Sequence, residues 1–422
     1  MMKKSAKFVI NHSDKLNGQI DVYGSKNTAM KIIAACILIP GKVRLENIPD
    51  ILDVQKMILI LEKMGGEFVR NGHNLTVDLQ NLKPIDPDED LVRSMRASIV
   101  LVGPLISRFG KVKIPHPGGC LIGARPIDLH LKAFRNLGVE IEENQQSCQF
   151  NYKSSPQERK VLFSRISVTA TENVILFASF QKQKTTISQA AIEPEVIDLI
   201  NFLKQSGLKI NVFGRTIEID CRQNLKPIKY RIIPDRIEAA TFAIMAACTR
   251  SNLKINNIIP KHLEALLDKF KLMGIKFDKG KNFLYLKNTP AFKAVNISTA
   301  EYPGFPTDIQ SPMGVLLTQA EGISRIKENI FENRLGYLSE LKKMGAKINI
   351  LNSNEAIIYG PTALYGAKIN SLDLRAGATL IIGGLIAKGR TEIFEAGNID
   401  RGYEKIEERL QKIGAQISRV KI

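Results

Sequence analysis

The sequence has 422 residues but no tryptophan, and aromatic residues make up only 6% of it. Proteins that bind single-stranded nucleic acid stack bases on aromatic side chains, so this scarcity argues against that class of function. Apolar runs such as residues 239–248 are far shorter than the roughly 18 residues that span a bilayer. No apolar signal-peptide core follows the basic start of the chain. We therefore expect a cytoplasmic protein without a membrane partner.

Cysteine is scarce too. The five cysteines are odd in number, widely scattered, and include no Cys-x-x-Cys pair. Disulfide-stapled folds and zinc cages use several closely spaced cysteines, so we expect neither a disulfide framework nor a bound metal. Cys36 and Cys248 stand inside apolar helical stretches, which predicts buried and inert thiols there.

Acidic residues are outnumbered, 42 against 60 basic ones, and the formal net charge is +18. This surplus favours an anionic partner, either nucleic acid, an acidic membrane surface or a phosphorylated small molecule. Apolar residues, at 44%, supply enough material for substantial cores. At roughly 150 residues per domain, length alone suggests about three domains.

Two markers recur with a period near 70 residues. Six glycines follow amphipathic helical stretches, where glycine adopts the left-handed conformation of a helix end at little cost. They are Gly65, Gly138, Gly207, Gly274, Gly345 and Gly414. Six apolar, small-residue helices run in step and begin near Lys26, Arg96, Thr169, Arg236, Asp308 and Arg375. Two independent markers with one period predict an internal repeat.

Each repeat is predicted to run strand, buried helix, strand, outer helix, strand. A unit of this size can hardly be stable alone, so the units must share cores. Six units fill the chain, which replaces the three domains suggested by length with two domains of three repeats. The predicted fold class is thus α/β (α+β), with three buried helices at the centre of each domain.

Four of the buried helices open with a basic residue: Lys26, Arg96, Arg236 and Arg375. A helix N-terminus carries unpaired N–H groups and about half a positive charge, and it favours anions. Taken alone, each arginine is explained by a neighbouring acid, and Lys26 by a solvated side chain. The pseudo-symmetric set favours an anion-lined cleft between the domains.

Three further motifs carry candidate chemistry. Residues 115–126, rich in proline and glycine, predict a loop that closes over a substrate. Cys120 in this loop stands near Arg125, and nearby cations lower the pKa of a thiol. Asp308 occupies a helix-start position that its counterparts fill with cations, so it either caps the helix or accepts a proton from a hydroxyl.

The third motif group holds arginines beside acidic or amide residues at loop-to-helix junctions. They are Arg334, Arg375 and Arg401. Two interpretations stay open for each: a structural ion pair, or a share in neutralising a multiply charged substrate.

Several segments, in order from about residue 17 to the C-terminus, carry a family resemblance. They are GSKNTAM, RSMRASIVLVGPL, PGGCLIGARPIDLHL, PDRIEAATF, FPTDIQ, IFENR, DLRAGATL and IDRGYEKIEERL. They resemble the UDP-N-acetylglucosamine 1-carboxyvinyltransferases, a branch of the EPSP synthase-like enolpyruvyl transferase family. The Gly-Asp-Lys-Ser type of opening motif, found in the sister enzymes that act on shikimate 3-phosphate, is absent.

The resemblance implies the first committed step of peptidoglycan synthesis. The enolpyruvyl group of phosphoenolpyruvate would move to the 3′-hydroxyl of UDP-N-acetylglucosamine, with release of phosphate. The implied fold has two inside-out α/β barrel-like domains, residues 1–24 plus 234–422 and residues 25–233, with the active site in the cleft between them. The two substrates would be the partners, without nucleic acid, cofactor or metal. The oligomeric state stays open, with a monomer as the simplest expectation.

The resemblance also implies roles for single residues. Cys120 would protonate C3 of the enolpyruvate, Asp308 would take the hydroxyl proton, and Lys26 and Arg401 would serve catalysis beside phosphoenolpyruvate. The implied substrate-binding positions are Lys26, Asn27, Arg96, Arg125, Pro126, Ile127, Asp128, Leu129, Arg165, Ser167, Val168, Asp308, Ile330, Arg334, Asp373, Arg375 and Arg401.

Three positions depart from the family pattern. Thr169 stands where glycine is usual, Ile192 where arginine is common, and Asn398 where some members have histidine. Thr169 would either crowd the diphosphate or add a hydroxyl contact. Two alternative functions compete with the family reading: a sister transferase with another hydroxyl acceptor, and a basic nucleic-acid-binding relic. A function as a nucleic-acid-binding relic would not explain why Cys120 is present in its loop or why Asp308 is present.

Cys120→Ser is expected to cripple turnover, because a hydroxyl is a far weaker acid than a thiol. Cys120→Asp should keep part of the activity, since a carboxylic acid can still donate a proton. It should also resist fosfomycin, an epoxide that the resemblance implies alkylates this thiol. Phosphate release with and without fosfomycin measures both effects, and full sensitivity of the Cys120→Asp enzyme would contradict the assignment.

Overall fold

The structure, a computed structural model, describes residues 6–13, 15–116, 118, 126–154, 156–220 and 224–422. The described chain divides into two compact units. The terminal unit comprises residues 6–23 and 234–422, and the central unit comprises residues 24–233, each with the gaps just given. Each unit encloses its own hydrophobic core. Among the described residues, no helix combines the length and apolarity needed to cross a membrane.

The α-helices of the described residues are α1 (Lys26–Ala35), α2 (Leu52–Lys63), α3 (Glu89–Arg93), α4 (Val102–Phe109), α5 (Asp128–Asn136), α6 (Val168–Ala178), α7 (Pro194–Gln205), α8 (Arg236–Cys248), α9 (Glu264–Met273), α10 (Gln310–Thr318), α11 (Tyr337–Lys343), α12 (Leu374–Ile386) and α13 (Ile406–Gln411). Short 3-10 helices cover Cys36–Leu38, Arg96–Leu101, Pro260–Leu263, Thr307–Ile309 and Ala396–Arg401.

The strands of the same residues are β1 (Ala6–Ile10), β2 (Asn17–Asp21), β3 (Lys42–Glu46), β4 (Glu67–Asn71), β5 (Asn74–Asp78), β6 (Lys111–Pro115), β7 (Val139–Glu143), β8 (Ser147–Tyr152), β9 (Lys160–Leu162), β10 (Thr185–Ser188), β11 (Ile210–Phe213), β12 (Thr216–Ile219), β13 (Lys229–Arg231), β14 (Asn252–Asn256), β15 (Phe277–Lys279), β16 (Phe283–Leu286), β17 (Ile297–Ser298), β18 (Gly322–Lys327), β19 (Lys347–Asn352), β20 (Glu355–Gly360), β21 (Lys368–Asn370), β22 (Thr391–Phe394) and β23 (Ile417–Lys421).

The predicted repeat is present, but it has one strand more than expected. After each outer helix except the last, the chain forms a two-stranded hairpin, as in the order α1, β3, α2, β4, β5. The prediction took the strand after each marker glycine and missed its hairpin partner. The partner begins after a turn of only two residues between β4 and β5, so each marker glycine except the last is followed by two strands and not by one.

The described strands form six sheets, three in each unit. Five sheets share one pattern, in which a parallel pair continues into two antiparallel strands. These are β13-β3-β5-β4, β9-β10-β12-β11, β2-β14-β16-β15, β17-β18-β20-β19 and β21-β22-β1-β23. The sixth, β6-β8-β7, is antiparallel throughout. The sheets therefore reproduce the sixfold repeat read from the sequence.

Two strands are exchanged where the chain passes between the units. β9, β17 and β21 each pair in parallel with the strand that follows the next helix, a β-α-β arrangement. By the same rule β2 would pair with β3, and β13 with β14. Instead β2 pairs with β14 and β13 pairs with β3. The exchange completes one sheet in each unit at the crossing points.

The inner helices α1, α4, α6, α8, α10 and α12 are buried on nearly all sides. In α8 every residue from Ile237 to Cys248 is buried, and in α12 every residue from Leu374 to Leu385. The outer helices, such as α2 and α9, bury one face only. This distribution confirms the predicted division into inner and outer helices, and it puts helices rather than sheets at the centre of each core.

Two of the predicted inner helices start later than expected. Arg96 and Asp308 lie in 3-10 turns, and the α-helical hydrogen bonds begin only at Val102 and Gln310. A proline occupies the third position of each α-helix, Pro104 in α4 and another in α10. Proline lacks the N–H group that an α-helix interior requires, so the helix can start only where proline falls in its first turn.

All six marker glycines have a positive φ, between 82° and 111°, as the repeat predicted. Gly138 and Gly274 share this conformation but differ in their surroundings. A Cβ at Gly138 would lie 1.9 Å from the carbonyl oxygen of Ser154, whereas nothing approaches within 4 Å at Gly274. At Gly138 a glycine is therefore required for two reasons: its φ is positive, and a Cβ would clash with the Ser154 carbonyl.

Gly274→Ala should cost about 1–2 kcal/mol, the strain of a left-handed alanine. Gly138→Ala should cost that amount plus about 1–3 kcal/mol for the clash with backbone. Thermal unfolding of both variants measures the difference. Equal losses of stability in the two variants would show that the contact with Ser154 is relieved by a small shift.

Candidate functional site

In the central unit, Lys26 opens α1 beside the capping residue Ser25, whose hydroxyl accepts a hydrogen bond from the Thr28 amide. The Lys26 ammonium lies 2.7 Å from a carboxylate oxygen of Asp53, and the lysine side chain is only 11% exposed. The solvated-lysine interpretation is therefore wrong. Asp53 fixes the position of the ammonium at a helix N-terminus, whose unpaired N–H groups favour anions.

A second group of predicted residues meets at the starts of α5 and α6. A guanidinium nitrogen of Arg165 lies 2.7 Å from the Asp128 carboxylate. Burial raises the pKa of Asp128, but the hydrogen bond and the charge of Arg165, together with bonds from backbone amides, outweigh it and the net pKa is lowered. Ser167 caps α6 by accepting a hydrogen bond from the Ala170 amide. The structure thus brings Asp128, Arg165 and Ser167 to one edge of the central unit.

The same edge contains a histidine that the sequence analysis missed. His130 is buried, and the first cause of its pKa of about 3 is that burial, followed by the charge of Arg96. The Asn173 amide nitrogen lies 3.1 Å from His130 Nδ1, and the Asn173 side-chain oxygen accepts from the Gly103 amide. Asn173 therefore donates to Nδ1, and the proton of the neutral ring sits on Nε2.

The ring proton of His130 points to Thr169. His130 Nε2 lies 3.3 Å from the Thr169 hydroxyl oxygen, which accepts the bond. The hydroxyl hydrogen of Thr169 then stays available for a further acceptor. The Thr169 side chain is thus held by an internal partner, and its two predicted effects on the diphosphate stay predictions.

In the terminal unit, Asp308 faces two arginines. Its carboxylate oxygens lie 2.7 Å from Arg334 Nη2 and 3.2 Å from Arg375 Nη2. Both arginine side chains are about 5% exposed, against 27% for Asp308. Asp308 does not cap its helix, since Pro306 occupies that position. The capping alternative is therefore wrong. Arg334 and Arg375 do form structural ion pairs, and their predicted share in neutralising a substrate stays a prediction.

Arg375 is held from a second side by Tyr403. Arg375 Nη1 donates to the Tyr403 hydroxyl at 3.2 Å, and this hydroxyl also lies 2.9 Å from the hydroxyl of Thr241. Burial lowers the pKa of Arg375, but Tyr403 and Asp308 outweigh it and raise the pKa above its ordinary value. The Asp373 carboxylate accepts from the amides of Arg375 and Ala376 and so caps α12. It is used structurally.

Glu328 is the organising residue that the sequence analysis missed in this unit. Its carboxylate is buried and accepts bonds from the hydroxyls of Thr299 and Thr307 and from the amide of Ile330. Thr307 begins the turn that carries Asp308. Glu328 thus ties the predicted position Ile330 to the turn of Asp308. A buried glutamate at the end of β18 has no sequence signal apart from its position after an alternating strand.

The other predicted residues fall into two groups. Asn27, Arg96 and Val168 lie, partly buried, at or beside the starts of helices, and Arg401, also partly buried, ends the 3-10 helix Ala396–Arg401. Pro126, Ile127 and Leu129 lead into or open α5. Cys120 and Arg125 lie outside the described residues, so the predicted loop thiol and its cation stay predictions.

The remaining predictions concern the cysteines and the departures from the family pattern. Cys36 and Cys248 are buried, which raises the pKa of both thiols far above the ordinary range. The predicted inert thiols are confirmed there. Asn398 donates to the Ser371 carbonyl at 2.7 Å, a structural bond, and Ile192 is partly buried.

Thr169→Val is expected to destabilise the protein by about 1–3 kcal/mol, because the buried His130 donor loses its acceptor. Thr169→Ser keeps a hydroxyl in nearly the same position and should cost much less. Thermal unfolding of the two variants checks this. If valine and serine were tolerated equally, the His130 bond would be of no importance to the fold.

Comparison with known proteins shows which family the chain belongs to. The family model of EPSP synthase (3-phosphoshikimate 1-carboxyvinyltransferase) matches residues 10–410. The chain is 43% identical over 407 residues to the UDP-N-acetylglucosamine 1-carboxyvinyltransferase of Pelagibacter ubique, covering 96% of this chain and 97% of the relative. It is 44% identical to UDP-N-acetylglucosamine 1-carboxyvinyltransferase 1 of Clostridium acetobutylicum, covering 98% and 99%.

Solved structures share the fold at lower identity. The enolpyruvyl transferase NikO of Streptomyces tendae superimposes with a TM-score of 0.89 at 23% identity, over 99% of this chain and all of NikO. EPSP synthase of Acinetobacter baumannii gives 0.76 at 15% identity, over 98% of this chain and all of that one. The predicted two-domain α/β fold class is thereby confirmed. Since the family match spans nearly the whole sequence, the chain belongs to the EPSP synthase family of enolpyruvyl transferases.

Proposed function

We propose that this enzyme transfers the enolpyruvyl group of phosphoenolpyruvate to the 3′-hydroxyl of UDP-N-acetylglucosamine and releases phosphate. The observation that carries this choice of acceptor is the identity of 43% and 44%, over nearly the full length, to two relatives that bear this name. The product would be the first dedicated precursor of peptidoglycan. A cytoplasmic location stays a prediction.

The reaction is an addition followed by an elimination. In the addition, the sugar oxygen bonds to C2 of phosphoenolpyruvate, its proton goes to a base, and C3 receives a proton from an acid. In the elimination, C3 loses a proton and the bond from C2 to the phosphate oxygen breaks. The protein must therefore supply an acid, a base, and cations for a multiply charged intermediate.

Asp308 is the proposed base. Arg334 and Arg375 face its two oxygens, and opposite charges favour the ionised carboxylate that can accept a proton. The side chain is 27% exposed, so a substrate hydroxyl can reach it, while the arginines behind it are nearly inaccessible. The buried partners fix the direction of the carboxylate, because neither arginine can turn to solvent.

The proposed cations lie at the ends of helices, Lys26 at the start of α1 and Arg401 at the end of the 3-10 helix Ala396–Arg401. Lys26, with Asn27 beside it, would contact phosphoenolpyruvate, and Arg401 would contribute a further charge. Asp128, Arg165, Ser167 and neighbouring backbone would hold the UDP-sugar, and Cys120 would be the acid. The support for these roles is the family resemblance together with the observed ion pair of Lys26 and the helix caps.

We also propose that the two compact units act as the two catalytic domains, residues 1–24 plus 234–422 and residues 25–233. The exchange of β2 and β13 supports this, since each unit completes its own sheets where the chain leaves it. Each unit then carries one set of the proposed site residues.

Asp308→Asn should lower kcat by about 10²–10⁴-fold, the usual contribution of a positioned base. The amide keeps the shape of the side chain but cannot take the proton. Phosphate release from phosphoenolpyruvate in the presence of UDP-N-acetylglucosamine measures this. The matched control is Glu392→Gln, a terminal-unit carboxylate also held by two cations, Lys7 and Arg390, whose loss should leave kcat nearly unchanged.

The acceptor is tested with the unaltered enzyme. Phosphate release should require UDP-N-acetylglucosamine and should not occur with shikimate 3-phosphate. Release that depends on shikimate 3-phosphate instead would favour the sister transferase. If neither sugar nucleotide nor shikimate 3-phosphate promoted release, the proposed reaction would be wrong.

A further inference from the structure

Three metal-ligating side chains meet in the antiparallel sheet β6-β8-β7. They are His116, Glu143 and Cys148, and one ligand atom from each lies within 4.8 Å of the other two. The proposed reaction uses none of them. Cys148 is buried, His116 is partly buried and Glu143 is exposed, so the group runs from the sheet interior to solvent. A small ion can therefore reach the thiol from outside.

The sheet register determines this meeting. Glu143 ends β7 directly opposite Cys148 in β8, and Cys148 lies opposite Ile114 on its other side. His116 follows β6 by one residue, and its amide donates to the Gln146 carbonyl at 3.0 Å. All three ligands thus come from paired backbone, which keeps a site preformed.

The hairpin between Glu143 and Cys148 is internally braced. The side-chain oxygen of Asn144 accepts from the amides of Gln146 and Ser147, at 2.8 and 2.9 Å. The backbone N–H of Asn144 in turn donates to the Ser147 carbonyl oxygen at 3.0 Å. This turn is closed by three bonds and fixes the separation of the two ligands that flank it.

His116 directs Nδ1, its unprotonated nitrogen, toward Cys148. Its Nε2 lies 2.8 Å from the Asn144 carbonyl oxygen, and a carbonyl can only accept. The proton therefore sits on Nε2, and the lone pair of Nδ1 faces Cys148 Sγ at 4.0 Å. Metal-binding histidines almost always donate their second N–H to a carbonyl or carboxylate in this way.

We propose that His116 Nδ1, Cys148 Sγ and the Glu143 carboxylate form a site for a borderline-soft divalent transition metal, of which Zn²⁺ fits best. Zn²⁺ takes sulfur, nitrogen and oxygen ligands in tetrahedral geometry, and its bonds of about 2.0–2.3 Å put neighbouring ligand atoms about 3.5 Å apart. His116 Nδ1 and Cys148 Sγ are 4.0 Å apart and all three ligand atoms lie within 4.8 Å of one another, so metal binding requires a contraction of up to about 1 Å. Water would fill the fourth position. This site is independent of the proposed transferase reaction.

Metal binding must displace the proton of the Cys148 thiol, because the thiolate is the ligand. Burial and the Glu143 carboxylate raise the pKa of Cys148 to about 11, against the opposing charge of Arg135. Without a metal the group is a neutral thiol of low reactivity. Coordination replaces the thiol proton, which leaves to solvent, with a positive ion beside the carboxylate.

Cobalt(II) is the probe, because it takes tetrahedral zinc sites and gives visible absorption. Titration of the full-length protein with Co²⁺ should produce a near-ultraviolet thiolate-to-cobalt charge-transfer band and intense visible bands. Zn²⁺ should then abolish both. The bands should persist in Cys36→Ser, which removes a buried thiol elsewhere, and in the Cys120→Ser/Cys221→Ser double variant.

Cys148→Ser should abolish the charge-transfer band. His116→Ala and Glu143→Gln, at more accessible positions that should tolerate change, should each weaken Co²⁺ binding by at least about 10-fold. They keep the test valid if the serine variant fails to fold. Absence of the bands from the unaltered protein would overturn the proposal, as would bands that depend on Cys120 or Cys221 and survive His116→Ala.

Discussion

The burial of the six inner helices is the constraint on which the rest of each unit depends. These helices are apolar on nearly all sides, so a single repeat cannot cover one of them. Close approach needs small residues at the contacts. A Cβ at Gly103 would lie 2.3 Å from the Asn173 carbonyl oxygen, and one at Gly314 would lie 2.3 Å from the Tyr337 hydroxyl oxygen. The sheets and outer helices then form the covering layer.

This construction also explains where the polar chemistry lies. Inner helices place most of their charged side chains near their ends, because a charge in the middle is buried away from solvent. Lys26 and Arg375 accordingly lie in first turns and are neutralised by Asp53 and Asp308. Lys31 in α1 and Glu172 in α6 are buried inside their helices, and there the two charges pair with each other at 3.3 Å. The candidate site residues are therefore a consequence of the packing as well as of the chemistry. The repeat supplies the same position six times, and different repeats fill it with different groups.

The path of the chain links the two ends of the terminal unit. β1 pairs with β22 and β23, so Ala6 lies opposite Lys421. β2 likewise completes a sheet with β14, more than 200 residues later in the sequence. The sheet that contains β1 cannot form before the last repeat is available, because it also contains β21, β22 and β23. Long-range pairing of this kind slows folding. The central unit needs no segment beyond β13.

The sequence by itself determined the period, the inner and outer helices, and the glycines at helix ends, because these features depend on local spacing and on burial of one face. It also marked Asp308 and the arginine at 375 through their places in the repeat. It missed the second strand of each hairpin, since the marker glycine signals the end of a helix and carries no information about the turn that follows the next strand.

Only the tertiary structure decided which side chains contact one another. Glu328, the bond from His130 to Thr169, and the group around Cys148 join residues that lie far apart in sequence or on neighbouring strands. Periodicity records that a side chain is buried, but the identity of its neighbour depends on strand register and helix packing. Those are set by the whole core, and for this reason the chemistry of each site became visible only in the fold.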